Sequence, residues 1–536
     1  MSLLDKASII SVPLAYDQGT YNNVKPMQVI GPANEVINGT FDANTDWTLG
    51  VKWSISDSKL NSVGTASGTS ASQSTSITAG KIYRVKYTIS QYAAGGVYIQ
   101  LGTANGTTRT DDGVYTEYIT AAGGTTISLI GSTASNTFAI DNLSVFETSA
   151  TDFTFERSSV GTRTNEAGLI EEMAADIPRI NYEDGIGALL LEPQSTNLCS
   201  ESSNVDNWSN LSNVTATAEY DYSPTGDFNG NRLLFTANGY AYHNDNQVPS
   251  TEYTISVWAK RNADAAQDFG FFVDSATGTI ASVFSLTDRW QRYTYTYTAS
   301  NNGFAGLAGL SGADISFYGF QREALAYATT LINTSGTAVT RTIESCNDAG
   351  STFTIDSIQG VLYAEIAAID DDGTYRYITL SDGSSANVVS LLYSSTTNQI
   401  QGWVRVGGTL QAQINRNLFD VKSYVKCALK YENNIFKLFV NGENVGEDLS
   451  GSVFSADTLN TLAFDNGGGV GNFYGRAKSV IVFPESLSDE EMETLTGGSL
   501  SAQDYLDILE SRVTAEGGII EDIPGALILL EDLESC

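Results

Sequence analysis

Histidine occurs once in the 536 residues, methionine and cysteine four times each, and proline nine times. A single histidine allows at most one Ser-His-Asp or Cys-His centre. That residue, His243, lies in the Tyr-rich stretch GYAYHNDNQ, with no nucleophile-elbow pattern around it. The cysteines, Cys199, Cys346, Cys427 and Cys536, are far apart and form no C-x-x-C pair. Neither a zinc site nor a disulfide framework is expected of them, and they suit a reducing compartment. Long apolar runs are missing as well. Nothing approaches the roughly 20 residues of a membrane span. The opening MSLLDKASIISVPLAYDQG has short apolar stretches broken by Asp5, Lys6 and Pro13, so no signal peptide is expected. Basic residues number 28 against 62 acidic ones, a net charge of −34. A chain so charged is repelled by phosphate backbones and anionic bilayers, which argues against nucleic-acid and membrane partners.

What the chain does have is 50 glycines, 27 tyrosines, 22 phenylalanines and many short apolar runs separated by Ser, Thr, Asn and Gly. That mixture predicts short strands joined by tight polar turns. The length calls for several domains, because single cores stop growing near about 250–300 residues. Within 31–148 the runs IYRVKYTI (82–89), VYIQL (97–101) and AIDNLSVF (139–146) alternate apolar and polar residues as half-buried strands do. The plan recurs within 197–343. There VPSTEYTISVWAK (248–260), RWQRYTYTYTA (289–299) and ISFYGFQREA (315–324) follow in the same order, a repeat of about 110–140 residues. A third set of strand candidates fills 344–498, with hairpin turns at Asn433-Asn434 and Asn441-Gly442. Ser488 and Glu491 form a capping box before a short helix ending at Gly497-Gly498. A second helix is expected over 501–513, followed by an apolar tail.

Three resemblances emerge from these segments. Residues 31–148 resemble jelly-roll carbohydrate-binding modules that open with N-G-x-F-E/D…W and close with an I-D-D/N-V/L-x-V strand. Here these are Asn38, Gly39, Phe41, Asp42 and Trp47, then Ile140, Asp141, Asn142, Leu143 and Val145. The second copy departs from the pattern, with Gly319-Phe320-Gln321 in place of Ile-Asp-Asn. Residues 344–498 are similar to concanavalin-like (laminin G-like) sandwiches, on FKLFVNGENVG (436–446) and FYGRAKSVIVFPESLSDEEMETL (473–495). The segment TRTNEAGLIEEMAADIPRINY…ALLLEPQSTNL, within 149–196 and just beyond, resembles a linker motif of bacteriophage tail, fibre and other virion proteins.

These readings give an all-β, multidomain expectation of two jelly-roll β-sandwiches, then a concanavalin-like β-sandwich, then short C-terminal helices. Residues 1–30 are an anchor arm, 149–196 a hairpin linker and 499–536 a helix with an apolar tail. The expected function is a non-enzymatic structural protein of a virion, assembled in the host cytoplasm. It displays glycan-binding modules to a host surface, joins other virion proteins through residues 1–30 and forms a homotrimer through its apolar tail. A glycan depolymerase accessory protein and a bacterial surface adhesin are the alternatives. Sugars pack C–H groups on flat aromatic rings. The candidates are Trp53, Tyr92 and Tyr98 in the first module, Tyr240 and Tyr242 in the second, and Trp403 in the third. The jelly-roll resemblance implies a structural Ca²⁺ held by Asp42 and Asp141. The densest carboxylate cluster, Asp370-Asp371-Asp372-Gly373, reads as a hairpin tip, or alternatively as a hard-cation loop.

Overall fold

The computed structural model describes residues 3–11, 34–148, 153–208, 210–262, 268–273, 280–352 and 354–498. The expected helix over 501–513 and the apolar tail lie outside these residues. The fold is all-β, as the composition predicts, with one α-helix, Asp489–Gly497, among the described residues. The chain divides into two compact units. One is Lys25–Asp152 with Ala349–Phe353, and the other is Met1–Val24, Phe153–Asp348 and Thr354–Cys536. The hairpin segment, the second jelly roll and the concanavalin-like sandwich therefore belong to a single unit.

In the smaller unit two five-stranded sheets face each other. One orders Thr48–Leu49, Ser70–Ser74, Thr126–Gly131, Val97–Leu101 and Ala104–Asn105. The other orders Trp53–Ser56, Lys59–Thr65, Asn136–Thr148, Ile82–Ala94 and Gly113–Thr120. The alternation seen in the sequence decides which side is buried. Tyr83, Val85, Tyr87 and Ile89 meet Val97, Ile99, Leu101, Ile127 and Leu129 in one core. Each such side chain contributes about 1.5–3 kcal/mol over its exposed state. The opening segment docks on the closing strand: Leu143 N donates to Gly39 O (2.9 Å) and Val145 N to Asn34 Oδ1 (2.8 Å). The closing strand bulges between Asp141 and Ser144, where Asn142 takes φ 52°.

The second jelly roll reproduces this construction bond for bond. Phe320 N donates to Ser202 O (2.9 Å) and Arg322 N to Asn197 Oδ1 (3.1 Å). The closing strand Asp314–Glu323 bulges against Ser256–Trp258, with Gly319 at φ 66°. The Gly-Phe-Gln variant is thus the same left-handed bulge built with a different residue. The strand Gly230–Tyr242 is long enough to pair first with the closing strand and then with Gly306–Gly309. It thereby fuses both layers into one eight-stranded sheet.

The concanavalin-like sandwich pairs a five-stranded sheet with an eight-stranded one. The five-stranded sheet orders Thr409–Asn417, Gln399–Val406, Val388–Tyr393, Arg376–Ser381 and Thr461–Ala463. Asn441 and Gly442 take φ 49° and 84°, the mirror-image turn that N-G predicts. The capping box at Ser488 and Glu491 is present.

The anchor-arm expectation needs correcting for residues 3–11. Ile9–Ser11 adds a strand to this same sandwich, pairing with Val480–Val482 on the strand Gly475–Phe483. Leu4, Ala7 and Ile10 sink among Val361, Tyr363, Phe439, Ile481 and Phe483. Apolar residues without a partner nearby in sequence find one at the far end of the same chain, so these nine are not free to plug into another protein.

The hairpin segment forms the expected short pairs, Gly161–Thr164 with Ile170–Met173 and Arg179–Asn181 with Ala188–Leu191. At its centre is a buried ionic node. Arg157 pairs with Glu344 (2.8 Å), Arg179 with Glu192 (2.8 Å) and Glu344, and Arg341 with Glu192 (2.7 Å). Glu192 N and Thr330 N donate to the two carboxylates, so the buried charges are hydrogen-bonded as well as paired.

Candidate functional site

Along Gln399–Val406 the residues Ile400, Gly402 and Val404 face the core. Gln401, Trp403 and Arg405 therefore stand on the opposite face of the five-stranded sheet. Trp403 lies across from Ser390 on one side and Gln413 on the other. Two tyrosines complete the surface. Tyr375 and Tyr377 stack on each other (5.8 Å, 21°), and Trp403 sits 6.1 Å and 6.0 Å from their rings. Tyr375 is 38% exposed, while Tyr377 and Trp403 are half-buried. Gly471 backs Tyr377: its carbonyl accepts Tyr377 N (3.2 Å), and a Cβ there would lie 2.8 Å from the ring. Exposed Gln413 and Asn415 flank the rings. Desolvation raises the Asp465 carboxyl against the hydrogen bond from Gly467 N (2.6 Å). The surface offers flat rings beside amide donors and acceptors, an arrangement able to hold a polyhydroxylated ring. Sequence reasoning found Trp403 but missed Tyr375 and Tyr377, although Y-R-Y at the start of a strand already puts two rings on one face.

In the second jelly roll Tyr240 and Tyr242 also stand on the side turned away from the core. Tyr242 stacks on Phe304 (5.0 Å, 15°) and meets Phe272 edge-on (5.3 Å). Tyr242 is only 6% exposed, so it supports the cluster, and Tyr240 is the half-exposed ring. In the first module Trp53 is 5% exposed and packs edge-on against Phe138 (5.9 Å), so it belongs to the core and offers no platform. The inward phase of Trp53–Ser56 is the reason. Tyr92 packs against the same core with its hydroxyl on Gly95 O (2.8 Å). Tyr98 is half-exposed on the outer face, beside Ile130.

His243 does meet a serine and an aspartate. Ser200 Oγ and Asp245 Oδ2 both lie against His243 Nδ1 (3.1 and 2.9 Å), and Ser200 Oγ donates to Asp245 Oδ1 (2.8 Å). An acyl-transfer triad needs the serine on one ring nitrogen and the acid on the other. Here both crowd the same nitrogen, and the serine proton already goes to the carboxylate.

Asp42 is exposed, with its carboxyl lowered by hydrogen bonds from Thr40 and Ser58. Asp141 accepts Asn142 N (2.7 Å). Among the described residues no three His, Cys, Asp or Glu side chains gather as a metal-holding group. Asp42 and Asp141 would supply part of the six to eight oxygens calcium takes, with backbone carbonyls and water supplying the rest. The three neighbouring aspartates disperse: Asp372 pairs with Arg376 (2.8 Å), Asp371 accepts Asn398 N (3.0 Å), and Asp370 faces Lys422 (3.8 Å).

No protein-family model matches the chain, and no curated protein matches it in sequence. Among solved structures it is similar to the Ruminococcus gnavus IT-sialidase CBM40 bound to α2,3-sialyllactose, at 18% identity over 28% of this chain and 94% of that one, with a TM-score of 0.24. It is similar to the CBM22-1–GH10 modules of Clostridium thermocellum endo-1,4-β-D-xylanase 10B complexed with xylohexaose, at 18% identity over 26% and 30%, with a TM-score of 0.21. It is also similar to a heptameric SAP-like pentraxin from Limulus polyphemus, at 12% identity over 28% and 74%, with a TM-score of 0.23. At these scores the likenesses say nothing about what this chain binds.

Proposed function

We propose that the chain is a non-enzymatic, glycan-binding structural subunit of a phage-like particle. The observation that carries glycan binding is the Tyr375–Tyr377–Trp403 surface on the five-stranded sheet, flanked by Gln413 and Asn415. The wiring of His243 supports a binding role over hydrolysis by a serine triad. The particle setting rests on the resemblance of the hairpin segment to virion linkers, and a homotrimer on the apolar sequence after residue 513. Attachment to the particle falls to segments other than residues 3–11, which are folded into the subunit.

The full chain should bind polysaccharide in affinity electrophoresis. Trp403→Ala should weaken that binding at least about tenfold, the equivalent of 1.4 kcal/mol, with an unchanged melting profile. Equal retention of wild type and variant would remove the proposed surface. Light scattering should give three times the mass of the chain, and a monomer at micromolar concentration would remove the trimer.

A further inference from the structure

We propose that the same surface selects a saccharide bearing an acidic group, through Arg405; this rests on the glycan-binding reading above. Residues 344–498 contain four arginines. Three are ion-paired: Arg376 with Asp372 (2.8 Å), Arg416 with Glu443 (3.0 Å) and Arg476 with Asp184 (3.0 Å). Arg405 has no carboxylate partner among the described residues, although acidic residues outnumber basic ones 62 to 28 in the chain. Its guanidinium carbon lies 5.6 Å from the centre of the Trp403 ring, and its hydrogen bond is a long one to Ser385 O (3.4 Å). The carboxylates near that loop are committed elsewhere, Asp382 to Ser384 and Asn387, and Asp465 to Gly467 N. A guanidinium beside an aromatic ring, with only Nη1 engaged and that by a long bond to a carbonyl, can offer a planar carboxylate two parallel hydrogen bonds.

Two further atoms on this face point the same way. Gln401 is 5% exposed and its Nε2 is spent on Gln399 Oε1 (2.6 Å), yet its Oε1 is buried without a partner in the protein. Trp403 Nε1 is likewise buried and unpartnered. Gln401, Trp403 and Arg405 are alternate residues of one strand, so an acceptor, a donor and a cation follow each other along one face. A sugar hydroxyl is both donor and acceptor and suits the first two, while an acidic substituent suits the third. The net charge of −34 repels polyanions in general, so retention of an acidic polymer would report a specific contact.

The test uses the full chain with three polymers in affinity electrophoresis: polygalacturonate for carboxylates, dextran sulfate for sulfate esters, and neutral dextran. Polygalacturonate should bind most strongly. Arg405→Gln should weaken that binding at least tenfold, and Arg405→Lys, which keeps the charge but loses the fork, should restore it only in part. Preference for dextran sulfate over polygalacturonate would keep the anion and replace the carboxylate by a sulfate. Retention of neutral dextran alone, lost in Trp403→Ala and untouched by Arg405→Gln, would overturn this inference and leave glycan binding standing. No retention of any polymer would overturn both.

Discussion

The two jelly rolls share a skeleton and differ on one face. In the first, Ala71, Leu129 and Ile99 lie side by side in the core layer. Ala241, Leu307 and Phe271 take the same places in the second. The residues flanking these face outward. In the first module they are Ser70, Ser72, Ser128, Ile130, Tyr98 and Gln100. In the second they are Tyr240, Tyr242, Gly306, Ala308, Gly270 and Phe272. One copy thus presents a mostly hydroxyl and amide surface, the other an aromatic one, over the same backbone bonds. The aromatic version needs its middle strand stripped to glycine and alanine, because a Cβ on Gly306 would sit 2.5 Å from Tyr242 Cβ and 2.8 Å from the Phe272 ring. Pairing fixes the fold, while the outward residues are free to diverge provided that they fit one another.

The second copy also differs in its surroundings, since it shares a unit with the buried node. Removing one partner of a buried ion pair leaves an uncompensated charge, at a cost of about 3–5 kcal/mol. Glu344→Gln should therefore lower the melting transition of the larger unit sharply and leave that of the first jelly roll in place, as followed by calorimetry. Loss of both transitions together would end the description of two independent units. Acid should act on the same node. Burial alone would raise the Glu192 carboxyl, but Arg341 and Arg179 beside it, with hydrogen bonds from Thr330, hold it down to about 2 from an ordinary 4.5. A carboxyl so depressed stabilises the fold above pH 4.5, and that contribution is lost as the pH falls toward 2. The urea midpoint of the larger unit should decline across this window, and a flat midpoint would contradict the pairing.

Gly306→Ala sharpens the contrast between the faces. It should destabilise the second jelly roll by about 1–3 kcal/mol through overpacking. Ser128→Ala, at the matching place in the first, adds no bulk and removes one hydroxyl from a residue 8% exposed, and should change stability by no more than about 1 kcal/mol. Hydrogen exchange along each middle strand separates the two effects. Equal losses would mean that the outer faces are packed alike.

Periodicity makes the strands and the repeat legible in the sequence, and the Ser488–Glu491 spacing does the same for the helix cap. Ile82–Ala94 and Val97–Leu101 cover the runs that the sequence marks at 82–89 and 97–101. Three things were not legible. The inward phase of Trp53 depends on a four-residue strand too short to show a period. The partner of the N-terminal strand lies at the other end of the chain. The node joins Glu192 to Glu344 and Arg341 across some 150 residues, and its only local trace is a charge closing the apolar run ALLLE. Long-range pairing of charges leaves no periodic signal.

The smallest expected effect concerns the bulge itself, where the copies use Asn142 and Gly319. An L-residue with a Cβ costs about 1–2 kcal/mol in the left-handed region, and asparagine pays less because its side chain bonds locally. Asn142→Gly should then be close to neutral, while Gly319→Ala should lower the stability of the second jelly roll by about 1–2 kcal/mol. A second cause could give the same loss, because a Cβ on Gly319 would lie 2.8 Å from Cδ1 of the buried Leu331. Gly319→Asn separates the two. If backbone strain dominates, asparagine recovers most of what alanine loses, and the two bulges are interchangeable. If the contact with Leu331 dominates, asparagine is as damaging as alanine, and the bulge of the second copy is tied to its own packing.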